Sequence, residues 1–269
     1  MAVIAIVSAK LSPGASTAAL ACTLTWSGRV LLAECDPAGG DILNGYLGTL
    51  DIPGDHGLMQ VAKADLHGQL EEAFWGQLID LDAPHRQRLV LPGLTDLAQA
   101  AALRSTWPHL ARLFNDLDQA EPSYDVIADC GRLSVNSPWP VLESAALVLL
   151  VMRPTSLRTV VPASPALALL RRHMGGAADG GRLGLLLIGD DGDYTRRELE
   201  RRLRVPVVAR LPEDRRTAEA LCGTGRLRGS RDLLRSAASI EAAIRAAIAR
   251  RAEPAQTPAA SDVEVRSGT

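Results

Sequence analysis

The chain has 269 residues, is 47% hydrophobic and carries a net charge of −2, so it can bury a large core in one large α/β domain or two small ones. No apolar run reaches the ~18–20 residues that cross a bilayer, and no charged n-region precedes the first apolar stretch. These features argue against a membrane span and a secretory signal and for a cytoplasmic protein. Four cysteines, Cys22, Cys35, Cys130 and Cys222, lack the short CxxC spacing of a zinc site and read as free thiols.

Short β-rich runs recur at 2–7, 29–34, 88–91, 124–129, 146–151, 183–188 and 205–209. Most are continuously apolar, as expected for strands covered by helices on both faces. Ala/Leu-rich helical stretches lie between them at 16–26, 98–119, 156–174 and 194–204. Strand alternating with helix predicts an α/β fold, a doubly wound and mostly parallel sheet with ligands beyond the carboxyl ends of its strands. The loops to inspect then begin at residues 8, 35, 92, 130, 152 and 189. A terminal helix over 232–252 carries Ile240, Ile244 and Ile248 on one face and is expected to dock on the core. That face has no Trp or Phe anchor for a membrane. Residues 253–269 are Pro/Ala/Ser/Thr-rich and read as a disordered tail, which leaves 1–252 as a single domain.

Three strand ends carry polar residues. The first runs Lys10-Leu11-Ser12-Pro13-Gly14-Ala15-Ser16-Thr17, the layout of a phosphate-binding loop leading into a helix, but without a lysine just after its last glycine. The second runs Glu34-Cys35-Asp36-Pro37-Ala38-Gly39-Gly40-Asp41, and the 124–129 strand continues through Asp129-Cys130-Gly131-Arg132. A carboxylate at a strand's carboxyl end beside a helix N-terminus has a role if a cation and a phosphate complete the charge balance. Otherwise Asp36 and Asp129 read as helix caps, as do Ser16 and Thr17.

Together these segments resemble the deviant Walker A loop, switch I and switch II of the ParA/MinD family of P-loop ATPases. The likeness is to its short pilus- and secretion-localising (TadZ/CpaE-like) type and extends through most of the first 225 residues. It includes Leu91-Pro92, VLLVMRPTSLRTV at 148–160 and VPVVARLPEDRRTAEAL at 205–221, whose proline is Pro212. The resemblance implies a P-loop NTPase fold, ATP and Mg²⁺ as cofactors, and a homodimer. Lys10, one of only two lysines in the chain, falls on the signature lysine that reaches the partner's phosphates and serves catalysis. Gly14, Ala15, Ser16, Thr17, Asp129 and Pro212 fall at nucleotide-binding positions. Ser16, Asp36 and Asp129 fall in the Mg²⁺ shell, and Asp36 also positions the attacking water. Glu34 replaces an earlier switch I aspartate.

The departures bear on activity. Leu11, Ser12 and Pro13 stand where the family has Gly, Gly and a small apolar residue, and Gly189 stands where an asparagine often reads adenine. Ala15 replaces the P-loop lysine. A charge-assisted contact of that kind is worth about 1.5–3 kcal/mol, so ATP affinity is expected to fall by roughly one to two orders of magnitude. Hydrolysis is expected to suffer more, because phosphoryl transfer depends on positioning and charge stabilisation. Lys10 and Arg132 are the candidate substitute cations. Cys35 and Cys130 sit within the switch sequences, not at the ligand positions of the superfamily's iron–sulfur ATPases, and read as buried thiols.

The function expected from the resemblance is a nucleotide-binding, dimerising positioning protein for a pilus or secretion apparatus, a septum component or DNA in a bacterial cell. Weak or absent hydrolysis goes with it. The alternatives are a nucleotide-independent pseudo-ATPase scaffold that binds a partner protein and, further off, an ATP-dependent small-molecule enzyme such as a dethiobiotin-synthetase-like ligase. Residues 1–150 carry 8 Lys+Arg against 17 Asp+Glu, whereas 151–252 carry 20 against 11. The basic half, with Arg196, Arg197, Arg201, Arg202, Arg204, Arg215 and Arg216, is a candidate for non-specific contact with DNA phosphates.

Overall fold

The computed structural model describes residues 2–10, 14–50, 52–53, 56–117, 119–175, 181–190, 192–223 and 232–252. The apolar runs become β1 (Val3–Ser8), β2 (Val30–Glu34), β4 (Arg88–Leu91), β5 (Asp125–Arg132), β6 (Leu147–Met152), β7 (Leu183–Ile188) and β8 (Val207–Leu211), joined by a short edge strand β3 (Ile79–Asp80). They form one sheet in the order β3-β4-β2-β5-β1-β6-β7-β8. All neighbours are parallel except β3 and β4. From β1 the chain winds outward to β2 on one side and later to β6 on the other. β1 therefore lies where the winding reverses, the point at which doubly wound sheets open a ligand crevice.

Alternate side chains of each strand enter different cores. Val3, Ala5 and Val7 face one cluster, and Ile4 and Ile6 face the other. Because both faces are covered, the strands read as unbroken apolar runs. The first face is covered by α2 (Leu58–Asp65), α3 (Leu70–Gly76), a 3-10 segment (Leu97–Arg104), α4 (Trp107–Asp116), α5 (Trp139–Ser144), α6 (Leu157–Val160), α7 (Ala163–Met174) and α8 (Arg196–Leu203). The second is covered by α1 (Ala15–Thr25), α9 (Arg215–Leu221) and α10 (Asp232–Ala252).

Two expected helices are broken by local chemistry. In the 98–119 stretch a 3-10 segment, whose first N–H groups include Ala98 donating to Asp96 Oδ1 at 2.9 Å, precedes α4, which restarts with Pro108 in its first turn. The 156–174 stretch divides before Pro162, whose ring nitrogen cannot donate the hydrogen bond that would carry α6 into α7.

The α10 helix docks on the core as its Ile spacing predicts: Ile240 and Ile244 are buried and Ile248 packs against the same cluster. Beneath it α1 is apolar on nearly every side, because it lies between the sheet and α10. A polar latch fixes the arrangement. Buried Asp125 accepts hydrogen bonds from Ala2 N (2.8 Å), Trp26 Nε1 (2.9 Å) and Arg245 Nη2 (2.8 Å). Glu241 of α10 accepts from both the N–H and the hydroxyl of Ser27, each at 2.8 Å. No helix of the described residues is long and apolar enough to cross a membrane. The 253–269 stretch lies outside them.

Candidate functional site

The turn from β1 into α1 passes through Gly14, whose φ of 102° is a conformation that glycine adopts without a Cβ penalty. Leu11, Ser12 and Pro13 lie outside the described residues. No acidic side chain occupies the first turn of α1, so the positive end of its dipole is left for an anion. This helix end opens on a cleft of about 790 Å³, a volume typical of small-molecule sites. One part of its wall is Ser8, residues 14–18, Asp36, Ala38, Asp41, Gly131 and Arg132; the other is Arg153, Ile188, residues 211–215, Ala218, Glu219, Cys222 and Leu233.

Carboxylates gather at its floor. Asp129, 3% exposed, accepts hydrogen bonds from the Ser16 hydroxyl and from Gly131 N at 3.1 Å. Burial pushes its carboxyl up to about 6 despite those two bonds. Asp36 accepts from Ala38 N at 2.7 Å and is also lifted above the ordinary range by burial, which outweighs the Ala38 N–H and the nearby Arg132. Glu34 is 2% exposed and does not line the cleft. It accepts from Asp41 N (2.8 Å), Ile42 N (3.1 Å) and Gly93 N (3.0 Å), and burial raises it to about 7. Gly40 lets the chain pass over it, since a Cβ there would lie 2.6 Å from Glu34 Oε2. Glu34 thus ties the loop bearing Asp36 to the loop after β4.

A divalent cation would favour the ionised forms of these crowded acids. Among the described residues no three His, Cys, Asp or Glu side chains are placed to hold a metal by themselves. Ser16, Asp36 and Asp129 offer hard oxygen donors of the kind that suit Mg²⁺, which characteristically completes its shell with phosphate oxygens and water.

Of the residues singled out from sequence, Gly14, Ala15, Ser16, Thr17, Asp36, Arg132 and Pro212 line this one cleft, and Asp129 sits behind Ser16. Lys10 does not line it; it is exposed at the end of β1. Buried Ala15 opens α1. Gly189 is buried with its carbonyl accepting from Arg210 Nη1 at 3.2 Å. Cys35 and Cys130 are fully buried, and burial pushes both thiols well above their usual range. All four cysteines are free.

No sequence motif marks Arg153, Glu213 or Asp214 as part of this cleft, and Arg215, which lines it too, stood out in the sequence only as a candidate DNA contact. Arg153 follows β6 and forms an ion pair with Glu213, which follows β8. Asp214 caps α9 by accepting from Thr217 N at 3.1 Å and accepts from Leu233 N of α10 at 3.4 Å. Arg215 pairs with Glu219 one turn along α9 at 2.7 Å. The available signals were position alone: Arg153 opens the loop after residue 152, and Glu213 directly follows Pro212.

No family model matches the chain, and no curated protein matches it. Solved structures do. A ParA family ATPase from Chlorobium tepidum is 17% identical and aligns over 90% of this chain and 97% of its own, with a TM-score of 0.66. The chain has the ParA/MinD fold. The same ParA/MinD fold is seen in the septum site-determining protein MinD complexed with Mg-ADP from Pyrococcus horikoshii, 18% identical over 94% of this chain and 99% of that one, with a TM-score of 0.63. It is seen again in a Cyanothece McdA(D38A)–ATP complex, 18% identical over 91% and 96%, with a TM-score of 0.65.

Proposed function

We propose that the cleft binds ATP with Mg²⁺ and that the protein is a ParA/MinD-like positioning protein which dimerises on nucleotide. The observation that carries this reading is the convergence of Gly14 and Ser16, Asp36, and Asp129 from three different strand ends at the N-terminus of α1. In it the first N–H groups of α1 face phosphate, Thr17 and Pro212 help to hold the nucleotide, and Ser16, Asp36 and Asp129 hold the Mg²⁺ shell. When bound, the Mg²⁺ neutralises phosphate charge. Asp36 orients the attacking water, and Lys10, exposed outside the cleft, serves the phosphates bound to a second copy. The Mg-ADP and ATP complexes of the similar MinD and McdA structures support the choice of ligand.

Ala15 leaves the phosphates without the P-loop cation, so binding is weak and hydrolysis slow or absent. The cargo is a pilus or secretion apparatus, a septum component or DNA, placed by a cytoplasmic domain spanning 1–252. DNA contact would use Arg197, Arg201, Arg202, Arg204 and Arg216, which are exposed, whereas Arg196 and Arg215 are engaged with Glu200 and Glu219. Burial of Ala15 where a cation is needed favours a second reading, a nucleotide-independent scaffold.

Light scattering separates the two readings. Addition of Mg·ATP is expected to double the mass of the wild-type protein, and Lys10→Ala is expected to abolish the doubling. A mass that does not respond to Mg·ATP contradicts the nucleotide switch and favours the scaffold.

A further inference from the structure

Resting on the reading of the cleft as a nucleotide site, we propose that Arg153 supplies the phosphate-binding cation that Ala15 leaves out, and that Glu213 competes with phosphate for it. Ser8, at the end of β1, is aligned with Arg132 on β5 and with Val151 on β6. Arg153 follows two residues after Val151. The carboxyl end of β1 is therefore flanked by Arg132 at the end of β5 and by Arg153 just after β6, and both arginines line the cleft together with residues 14–17. Arg132 lies near the Asp36 carboxylate, which its charge helps to keep ionised.

Arg153 is differently engaged. Its guanidinium pairs with Glu213 within the cleft wall, and the two side chains are 33% and 56% exposed. Such an open ion pair is well solvated and screened, so it is easily exchanged for another anion. A guanidinium fork donates paired hydrogen bonds to phosphate oxygens as readily as to a carboxylate, and a polyphosphate brings several charges where Glu213 brings one. The remaining cations fit the role less well. The Arg215 side chain is 87% exposed, so a phosphate contact there would be largely screened by water, and Lys10 lies outside the cleft. Arg153 comes from a different strand than the loop lysine would, so the substitution leaves no trace in the loop motif.

The test is a titration of the folded full chain with fluorescent ATP and Mg²⁺, with inorganic tripolyphosphate as competitor. Arg153→Ala is expected to weaken ATP and tripolyphosphate alike by about tenfold or more, as loss of a charge-assisted phosphate contact requires. Glu213→Gln, which removes only the competing charge, is expected to tighten both by about fivefold, and to give no gain in the Arg153→Ala background. Should Arg153→Ala fail to fold, Glu213→Gln alone decides. ATP binding by the wild type that neither substitution changes overturns the role of Arg153 and leaves the nucleotide site standing. Absence of ATP binding in both the wild type and Glu213→Gln overturns both.

Discussion

The Asp36 carboxylate packs so closely against the backbone of Gly131 that a Cβ at position 131 would lie 1.8 Å from Asp36 Oδ2. Gly131 also has a φ of +61°, which disfavours any other residue. Gly131→Ala is therefore expected to drive Asp36 out of place and to cost about 1–3 kcal/mol of stability. Thermal unfolding checks the stability loss. A matched ATP titration is expected to show the same defect as Asp36→Ala, although residue 131 contributes no side chain of its own.

Ala15→Lys tests what the loop lacks. The position opens α1 at the edge of the cleft, where an ammonium would meet phosphate. ATP affinity is expected to rise by about ten- to hundredfold, the value of one charge-assisted contact. Fluorescent-ATP titration reads it directly, and unchanged affinity means that the loop is not shaped around a phosphate.

The latch under α10 gives a prediction about pH. Burial opposes ionisation of Glu241, but the Ser27 N–H, Arg245 and the Ser27 hydroxyl outweigh it and hold the carboxyl below its ordinary value of 4.5. A carboxylate whose pKa is lowered by folding adds stability above its unfolded pKa, and loses it as pH falls through the folded value. Glu241→Gln removes charge-assisted bonds worth about 1–2 kcal/mol, so Tm at pH 7 is expected to drop by about 2–8 °C. The gap between variant and wild type is expected to close as the pH falls from 4.5 through the lowered folded value.

What was legible in the sequence follows from how each feature is encoded. The parallel strands were readable because a two-sided sheet demands continuous apolar runs, and α10 because Ile240, Ile244 and Ile248 repeat at helical spacing. β3 was not, since two half-buried residues at an antiparallel edge carry no pattern. Nor were α2, α3, α5 and α9, none longer than 8 residues. Within the cleft, Gly14, Ser16, Asp36 and Asp129 stand in local motifs at strand ends and could be found singly. Arg153 and Glu213 meet only because β6 and β8 end at the same edge of the sheet, 60 residues apart in the chain. The role of Glu34 was hidden for a different reason: its partners are backbone N–H groups, which no side-chain motif records.

The nucleotide site proposed at the ends of β1, β2 and β5 has too little positive charge for tight binding. This is tested most directly by calorimetric titration of ATP, with and without Mg²⁺, into the wild type and into Asp129→Asn. The expected result is weak, Mg²⁺-dependent binding by the wild type that Asp129→Asn diminishes further. Binding indifferent to Mg²⁺ and to Asp129, or no binding at all, would contradict it.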